Sequence, residues 1–228
     1  MASAPFFITG TDTEVGKTFF TASLIGALQA AGKTVSAFKP VAAGCEIVDG
    51  LPRNDDALTL IAALDDKPDY ERVNPFALKQ PIAPHIAAIQ EGVELSVEAV
   101  AKACPVNKVT SDFCLVEGAG GWLVPLNAAE TFADYARFEN CEVILVVGMK
   151  LGCINHAMLT QAAINAAGLN LIGWVANFID PNMQVQKENL ATLKSSLKCP
   201  LIAEIPYLTG DNAIESASRC VKLEALLS

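Results

Sequence analysis

Six short runs of the chain are apolar almost without interruption: residues 5–9, 34–39, 112–117, 142–148, 171–177 and 200–205. Strands with one wet face alternate apolar and polar positions, whereas unbroken runs mark strands covered on both faces. Longer stretches with helical spacing of apolar positions fall between and after them, at 16–31, 55–64, 96–103, 131–139, 155–167, 185–197 and 215–227. Gly32 and Gly168 follow two of these stretches and suit the left-handed residue that ends a helix. Strands alternating with helices predict a parallel sheet with right-handed crossovers. Residues 66–83, with Pro68, Pro75 and Pro81, break the alternation and predict a surface excursion. Repeats and low-complexity tracts are absent, so residues 1–228 read as one α/β domain with apolar content for a sizeable core.

Charge narrows the function classes. The formal net charge is −9 and Lys/Arg clusters are absent, which excludes the basic face that nucleic-acid binding needs. Met1-Ala-Ser-Ala-Pro5 lacks the charged start of a secretory leader, and no run reaches the roughly 18 apolar residues of a membrane span. The seven cysteines are odd in number and never spaced as Cys-x-x-Cys. They predict buried, reduced thiols in a cytoplasmic protein rather than a disulfide framework or a zinc site.

The first strand leads straight into Gly10-Thr-Asp-Thr-Glu-Val-Gly-Lys-Thr18, and a helix follows. Backbone N–H groups of such a loop point at an anion, and the helix adds its positive dipole end. Lys17 can reach the outer phosphates of a nucleotide, and the Thr18 hydroxyl can ligate Mg²⁺. Gly10 and Gly16 are separated by five residues rather than the four that usually precede Gly-Lys, so Thr11 stands at the first-glycine position. The strand–loop–helix context still predicts a P-loop NTPase-like three-layer domain, its mainly parallel sheet covered by helices on both faces.

Ligands of such sheets bind beyond the carboxyl ends of the strands. Lys39, ahead of Pro40, ends the second strand and is either a second cation at the phosphate loop or a solvated lysine. Glu117 ends the third strand, before Gly118-Ala-Gly-Gly121, where a carboxylate needs a partner or a metal. In Asn54-Asp55-Asp56 the first two residues read as helix caps, and Asp56 reads as a cap or a metal ligand. After the fourth strand, Lys150 reads as solvated. The start of the next helix, Cys153-Ile-Asn155-His156, is either a carboxylate-binding site or a connection capped by Asn155. Asn177, Pro206 and Tyr207 can frame a purine base or serve as ordinary turn residues. His85 and His156 lack neighbours for a nucleophile relay, and His85 reads as structural.

The phosphate loop, Phe38-Lys-Pro-Val41, Val116-Glu-Gly-Ala-Gly-Gly121, Gly152-Cys-Ile-Asn-His156 and Gly173-Trp-Val-Ala-Asn177 together closely resemble the dethiobiotin synthetases, from about residue 5 to 208. The resemblance implies an ATP-dependent ring closure on 7,8-diaminononanoate and CO₂ or bicarbonate, through a phosphorylated carbamate, with Mg²⁺ as cofactor. It implies that Thr13, Lys17 and Lys39 serve the reacting groups. Glu14, Val15, Gly16, Lys17, Thr18 and Phe19 would hold the nucleotide, with Gly118, Ala119 and Gly120 approaching it. Thr18, Asp56 and Glu117 would hold the metal, and Asn177, Pro206, Tyr207 and Leu208 would surround the adenine. The substrate would meet Thr13, Lys39, Ala43, Gly120 and, across a homodimer boundary, Gly152, Cys153, Ile154 and Asn155.

One residue departs from the family pattern: many members carry a hydroxyl residue where Ala43 stands, and it contacts the substrate. A neutral hydrogen bond lost there is worth about 1 kcal/mol. The competing class is a regulatory ATPase of the partitioning type. Those proteins carry a further lysine early in the loop, and Thr11 to Val15 contains none. Amide-forming ligases acting on cobyrinic-acid-like substrates need a glutamine-hydrolysing unit for which the chain has no obvious room.

Overall fold

The computed structural model describes residues 4–226. The chain opens with β1 (Phe6–Gly10), α1 (Lys17–Ala30) and β2 (Val35–Phe38). Short elements follow: β3 (Val41–Ala43), β4 (Glu46–Val48), β5 (Leu51–Arg53), α2 (Asp55–Ala63), α3 (Tyr70–Val73), β6 (Phe76–Leu78), α4 (Pro84–Glu91) and α5 (Val97–Ala103). The regular part resumes with β7 (Phe113–Glu117), α6 (Phe132–Phe138), β8 (Glu142–Gly148) and α7 (Cys153–Ala166). It ends with β9 (Leu171–Asn177), α8 (Gln186–Ser196), β10 (Leu201–Ile205) and α9 (Ala213–Ser218).

The six apolar runs form one sheet in the order β10-β9-β8-β1-β7-β2, and every neighbouring pair is parallel. Period-two side-chain alternation explains why these runs are apolar throughout. Phe6 and Ile8 of β1 and Ile144 and Val146 of β8 face Leu24, Leu28, Leu60 and Ala217, under α1, α2 and α9. Phe7 and Val116 face the opposite way, onto Val100, Phe132 and Tyr135. On that same side Leu145, Val147 and Trp174 meet Ala157, Leu190 and Leu193 of α7 and α8. Helices therefore cover both faces, as expected for a three-layer fold.

Two helices carry the side-chain caps their sequences offer. Ser96 accepts a hydrogen bond from Ala99 N at 3.1 Å, and Thr131 with Asp134 closes a reciprocal capping box. Three expectations are corrected. The helix after β8 begins at Cys153, with Gly152 at φ 94 as its cap, so Asn155 lies in the first turn and caps nothing. The last predicted helix is only α9 followed by a 3₁₀ turn, Leu223–Ala225; its predicted end, Leu227, lies outside the described residues.

The third correction concerns residues 66–83, which are not a bare excursion. They contain α3 and β6; Tyr70, Val73, Asn74 and Leu78 are buried, and β6 pairs in parallel with β3. No helix among the described residues is long and apolar enough to cross a membrane. All seven cysteines are free thiols, and burial pushes those of Cys104 and Cys114 up to about 12.

Candidate active site

β1 is the central strand from which the site is built. Its last residue, Gly10, lies beside Val146 of β8, and the chain then turns through the phosphate loop into α1. Glu14 at φ 58 and Gly16 at φ 86 occupy the left-handed region, a conformation that needs glycine or surrounding support. A Cβ at Gly16 would sit 2.1 Å from Asn177 Nδ2. That amide donates to Val15 O at 2.9 Å and pins the loop from the end of β9. No side chain caps α1, so N–H groups of its first turn are left for an anion.

Lys17 is 7% exposed and its Nζ donates to Asp12 O at 3.1 Å. Burial, with Lys39 close by, pushes its ammonium pKa down to about 8. Lys39 follows β2 directly and is 3% exposed. Its Nζ lies 2.7 Å from Glu117 Oε1 and 2.8 Å from Asp56 Oδ2, and it donates to Gly118 O at 3.2 Å. Burial alone would lower its pKa, but the two carboxylates hold the ammonium above the ordinary lysine range. Asp56 shows the converse: burial would raise it, and Lys39 keeps it below the usual carboxylate range.

Glu117 is fully buried. Its Oε1 accepts from Thr18 Oγ1 at 2.6 Å, while its Oε2 has no hydrogen-bond partner among the described residues. The free Glu117 oxygen, the Thr18 hydroxyl and the Asp56 carboxylate are all oxygen donors, the chemistry of a hard divalent cation. Thr18, Asp56 and Glu117 therefore fit Mg²⁺. Asn54 Oδ1 accepts from Asp56 N at 3.1 Å, so Asn54 is the cap of α2 and leaves the Asp56 carboxylate free for Lys39.

These groups border a cleft of about 920 Å³. Thr13, Glu14, Gly16, Lys17, Thr18 and Phe19 line it together with Lys39, Ala43, Asp56, Ala119 and Gly120. Val15, Glu117 and Gly118 are not among the residues that line it. Asn177 ends β9, while Pro206, Tyr207 and Leu208 follow β10. Pro206 and half-exposed Tyr207 border a separate hollow of about 480 Å³ that also touches Phe178 and Glu204. Gly152, Cys153, Ile154 and Asn155 line neither space. Leu151, just before them, is 94% exposed.

Sequence reasoning missed several participants. Lys150 is not merely solvated: its Nζ pairs with Asp12 Oδ2 at 3.1 Å and, with Thr13 N–H, holds the Asp12 carboxyl below its usual range. The cleft rim is supplied by Pro81, Ile82, Ala83 and Pro84, at and just before the start of α4. Asn74 is buried and donates to Lys39 O at 2.6 Å. Neither of the last two groups lies at the end of a predicted strand or at the start of a predicted helix.

Comparison with known proteins gives the geometry its relatives. The family described as AAA domain is matched over residues 5–213. An ATP-dependent dethiobiotin synthetase BioD of Cellvibrio japonicus is 48% identical over 227 residues, covering 100% of this chain and 99% of the relative. The protein of the same name from Pseudomonas aeruginosa is 50% identical over 204 residues, covering 89% and 90%. Among solved structures, the MinC:MinD cell division complex of Aquifex aeolicus superposes with a TM-score of 0.57 at 17% identity, covering 96% of this chain and 86% of that one. A ParA family ATPase from Chlorobium tepidum gives 0.55 at 14%, covering 99% and 94%. At such identities the structural likeness shows the fold alone.

Proposed function

The chain belongs to the family of ATP-dependent dethiobiotin synthetases, and from that premise we propose that the cleft above β1, β2 and β7 closes the ureido ring of dethiobiotin. The observation that carries the assignment to this cleft is the pair of buried lysines, Lys17 and Lys39, beside Glu117, Asp56 and Thr18.

One amine of 7,8-diaminononanoate adds to CO₂ and loses a proton, giving a carbamate. A carbamate oxygen attacks the γ-phosphorus of ATP; ADP leaves and a carbamic–phosphoric anhydride remains. The second amine attacks its carbonyl carbon, phosphate departs with the oxygen that came from the carbamate, and a proton is released as the ring closes. Carbamate and triphosphate are both anions. Unit charges about 4 Å apart repel by roughly 4 kcal/mol at an effective dielectric of about 20. Lys17 on the phosphate side and Lys39 on the carbamate side offset that repulsion, and the loop N–H groups orient the phosphates for in-line transfer. Thr13 lines the same cleft and is assigned to the carbamate. Thr18, Asp56 and Glu117 would hold Mg²⁺, which would supply further neutralisation of the phosphate charge. The absence of a catalytic Ser, Cys or His arrangement is no obstacle, because no protein nucleophile takes part.

The adenine is assigned to Asn177, Pro206, Tyr207 and Leu208. The Gly152–Asn155 turn lines no part of the cleft of its own subunit, which supports a homodimer in which it grips the substrate carboxylate in the partner's site. Ala43 lines the cleft without a hydroxyl, so a water or a weaker contact replaces that hydrogen bond. The acidic chain and its free thiols support a cytoplasmic location. The partitioning-type alternative has fold likeness alone behind it.

The test is isotopic. With ¹⁸O-labelled CO₂ and turnover sampled within seconds, each released phosphate carries one labelled oxygen. Unlabelled phosphate accompanying dethiobiotin would mean that the anhydride does not form.

A further inference from the structure

Lys39 directly follows β2 and Asp56 lies in α2, and their meeting depends on how those elements are fixed to each other. The connection runs through α3 and the residue after it. Asn54 N, at the cap of α2, donates to Tyr70 Oη at 2.8 Å. Tyr70 Oη donates to Asn74 Oδ1 at 2.8 Å, and Asn74 Nδ2 donates to Lys39 O at 2.6 Å. The relay is doubled on the backbone, where Lys39 N donates to Val73 O at 2.9 Å. Tyr70 is 8% exposed and Asn74 2%, so neither side chain has water as a ready substitute. The tyrosine ring is held in turn by Arg53, whose guanidinium lies 4.2 Å from the ring centroid and pairs with Glu71 at 3.0 Å. Each hydrogen bond of the relay runs in one direction: N–H to hydroxyl, hydroxyl to amide oxygen, amide N–H to carbonyl. A tyrosine and an asparagine one helical turn apart supply that sequence of donor and acceptor.

We propose that Tyr70 and Asn74 are positioning residues for the reaction, forming a buried relay that sets Lys39 against the Asp56 end of α2. The proposal rests on the roles given above to Lys39 and Asp56. Groups that orient metal-binding and charge-stabilising side chains cost about 10- to 100-fold in activity or metal affinity when removed. The relay touches neither nucleotide nor diamine, so its loss moves kcat and the metal requirement and leaves binding of both substrates near its original value.

The experiment is Tyr70→Phe, which keeps the ring and its packing and removes only the hydroxyl, with Asn74→Leu as a second break in the same chain. Each variant is assayed below its own melting transition. The expected result is a fall in kcat of at least tenfold, KM for ATP and for the diamine within about threefold, and a raised half-saturating Mg²⁺. The double variant is no worse than the more damaged single one, because both break one relay. In a Lys39→Met background Tyr70→Phe causes no further loss of kcat.

A melting temperature that falls while kcat and the Mg²⁺ requirement stay within twofold would reduce the relay to packing and overturn the proposal. So would a Tyr70→Phe effect that persists undiminished without Lys39. Mn²⁺ binding to the ATP complex, read by water-proton relaxation, supplies a measure that needs no turnover. About tenfold weaker Mn²⁺ binding in Tyr70→Phe supports the relay even if the wild-type protein rejects the diamine. Unchanged Mn²⁺ binding counts against the relay whatever the substrate.

Discussion

Replacing Lys39 with Met removes the cation between two carboxylates, one of which has no access to solvent. Glu117 is fully buried and lies 2.7 Å from the Lys39 ammonium. At an effective dielectric of about 20 that separation corresponds to roughly 6 kcal/mol of attraction. Desolvation consumes part of it, and breaking a buried pair on one side costs about 3–5 kcal/mol. Asp56 adds little, because its carboxylate is 44% exposed and screened by solvent. For a chain of this size each 1 kcal/mol moves the melting temperature by about 2–4 °C. The variant should therefore melt roughly 6–20 °C lower.

The assay is thermal unfolding followed by circular dichroism, with a chelator present so that no divalent ion replaces the lysine. The pH dependence carries its own sign. The Lys39 pKa is raised in the fold from 10.5, so its contribution is complete below that value and is lost as pH climbs through the folded pKa. The Asp56 pKa is lowered from 3.8, so its part is present above that value and fades as pH falls. The gap between wild type and variant is thus flat from about pH 5 to 9, closes as pH climbs through the folded Lys39 pKa, and loses only the small Asp56 part as pH falls. Adding Glu117→Gln to the variant removes the stranded charge and should recover about half of the loss. A gap below about 2 °C at pH 7.5 would refute the account of Glu117 as a buried anion held by Lys39.

Other outcomes follow from the same geometry. Lys17 has its pKa pushed down to about 8, so ATP binding to the free enzyme should be flat below pH 8 and weaken by up to tenfold per unit above it; calorimetry showing no change to pH 9.5 would contradict this. Gly16→Ala forces a Cβ to 2.1 Å from Asn177 Nδ2 at φ 86 and should weaken ATP roughly ten- to hundredfold by strain alone; binding within threefold of wild type would mean that the loop adapts. Glu117→Gln should raise the Mg²⁺ needed for half-maximal turnover, and an unchanged titration would leave Glu117 with a structural part only. Asn155→Ala should raise KM for the diamine with ATP affinity intact, and sedimentation finding an active monomer would rule out a substrate site shared between subunits.

Much of this architecture is written in local pattern. The inner strands of the main sheet are covered on both faces, so β8, Glu142-Val-Ile-Leu-Val-Val-Gly148, announces itself without reference to any neighbour. Lys39 and Glu117 were found because parallel sheets gather ligands at strand ends, and those two polar residues stand where apolar runs stop. The region from β3 to α4 was not legible. Its strands are three residues long, too short for a period to register, and its prolines resemble those of a loop. The relay from Asn54 through Tyr70 and Asn74 to Lys39 joins residues from separate connections, so only the folded chain brings them together. The start of α7 misled for a different reason: Gly152 caps it by backbone conformation with no side-chain cap, leaving Asn155 as the residue that looked like one.

The most direct test of the central claim is phosphate release from Mg-ATP with and without 7,8-diaminononanoate and bicarbonate, with dethiobiotin counted by mass spectrometry in the same samples. The predicted result is diamine-dependent release with one dethiobiotin formed per phosphate. Phosphate release that ignores the diamine, or that proceeds with it and yields no dethiobiotin, would contradict the assignment.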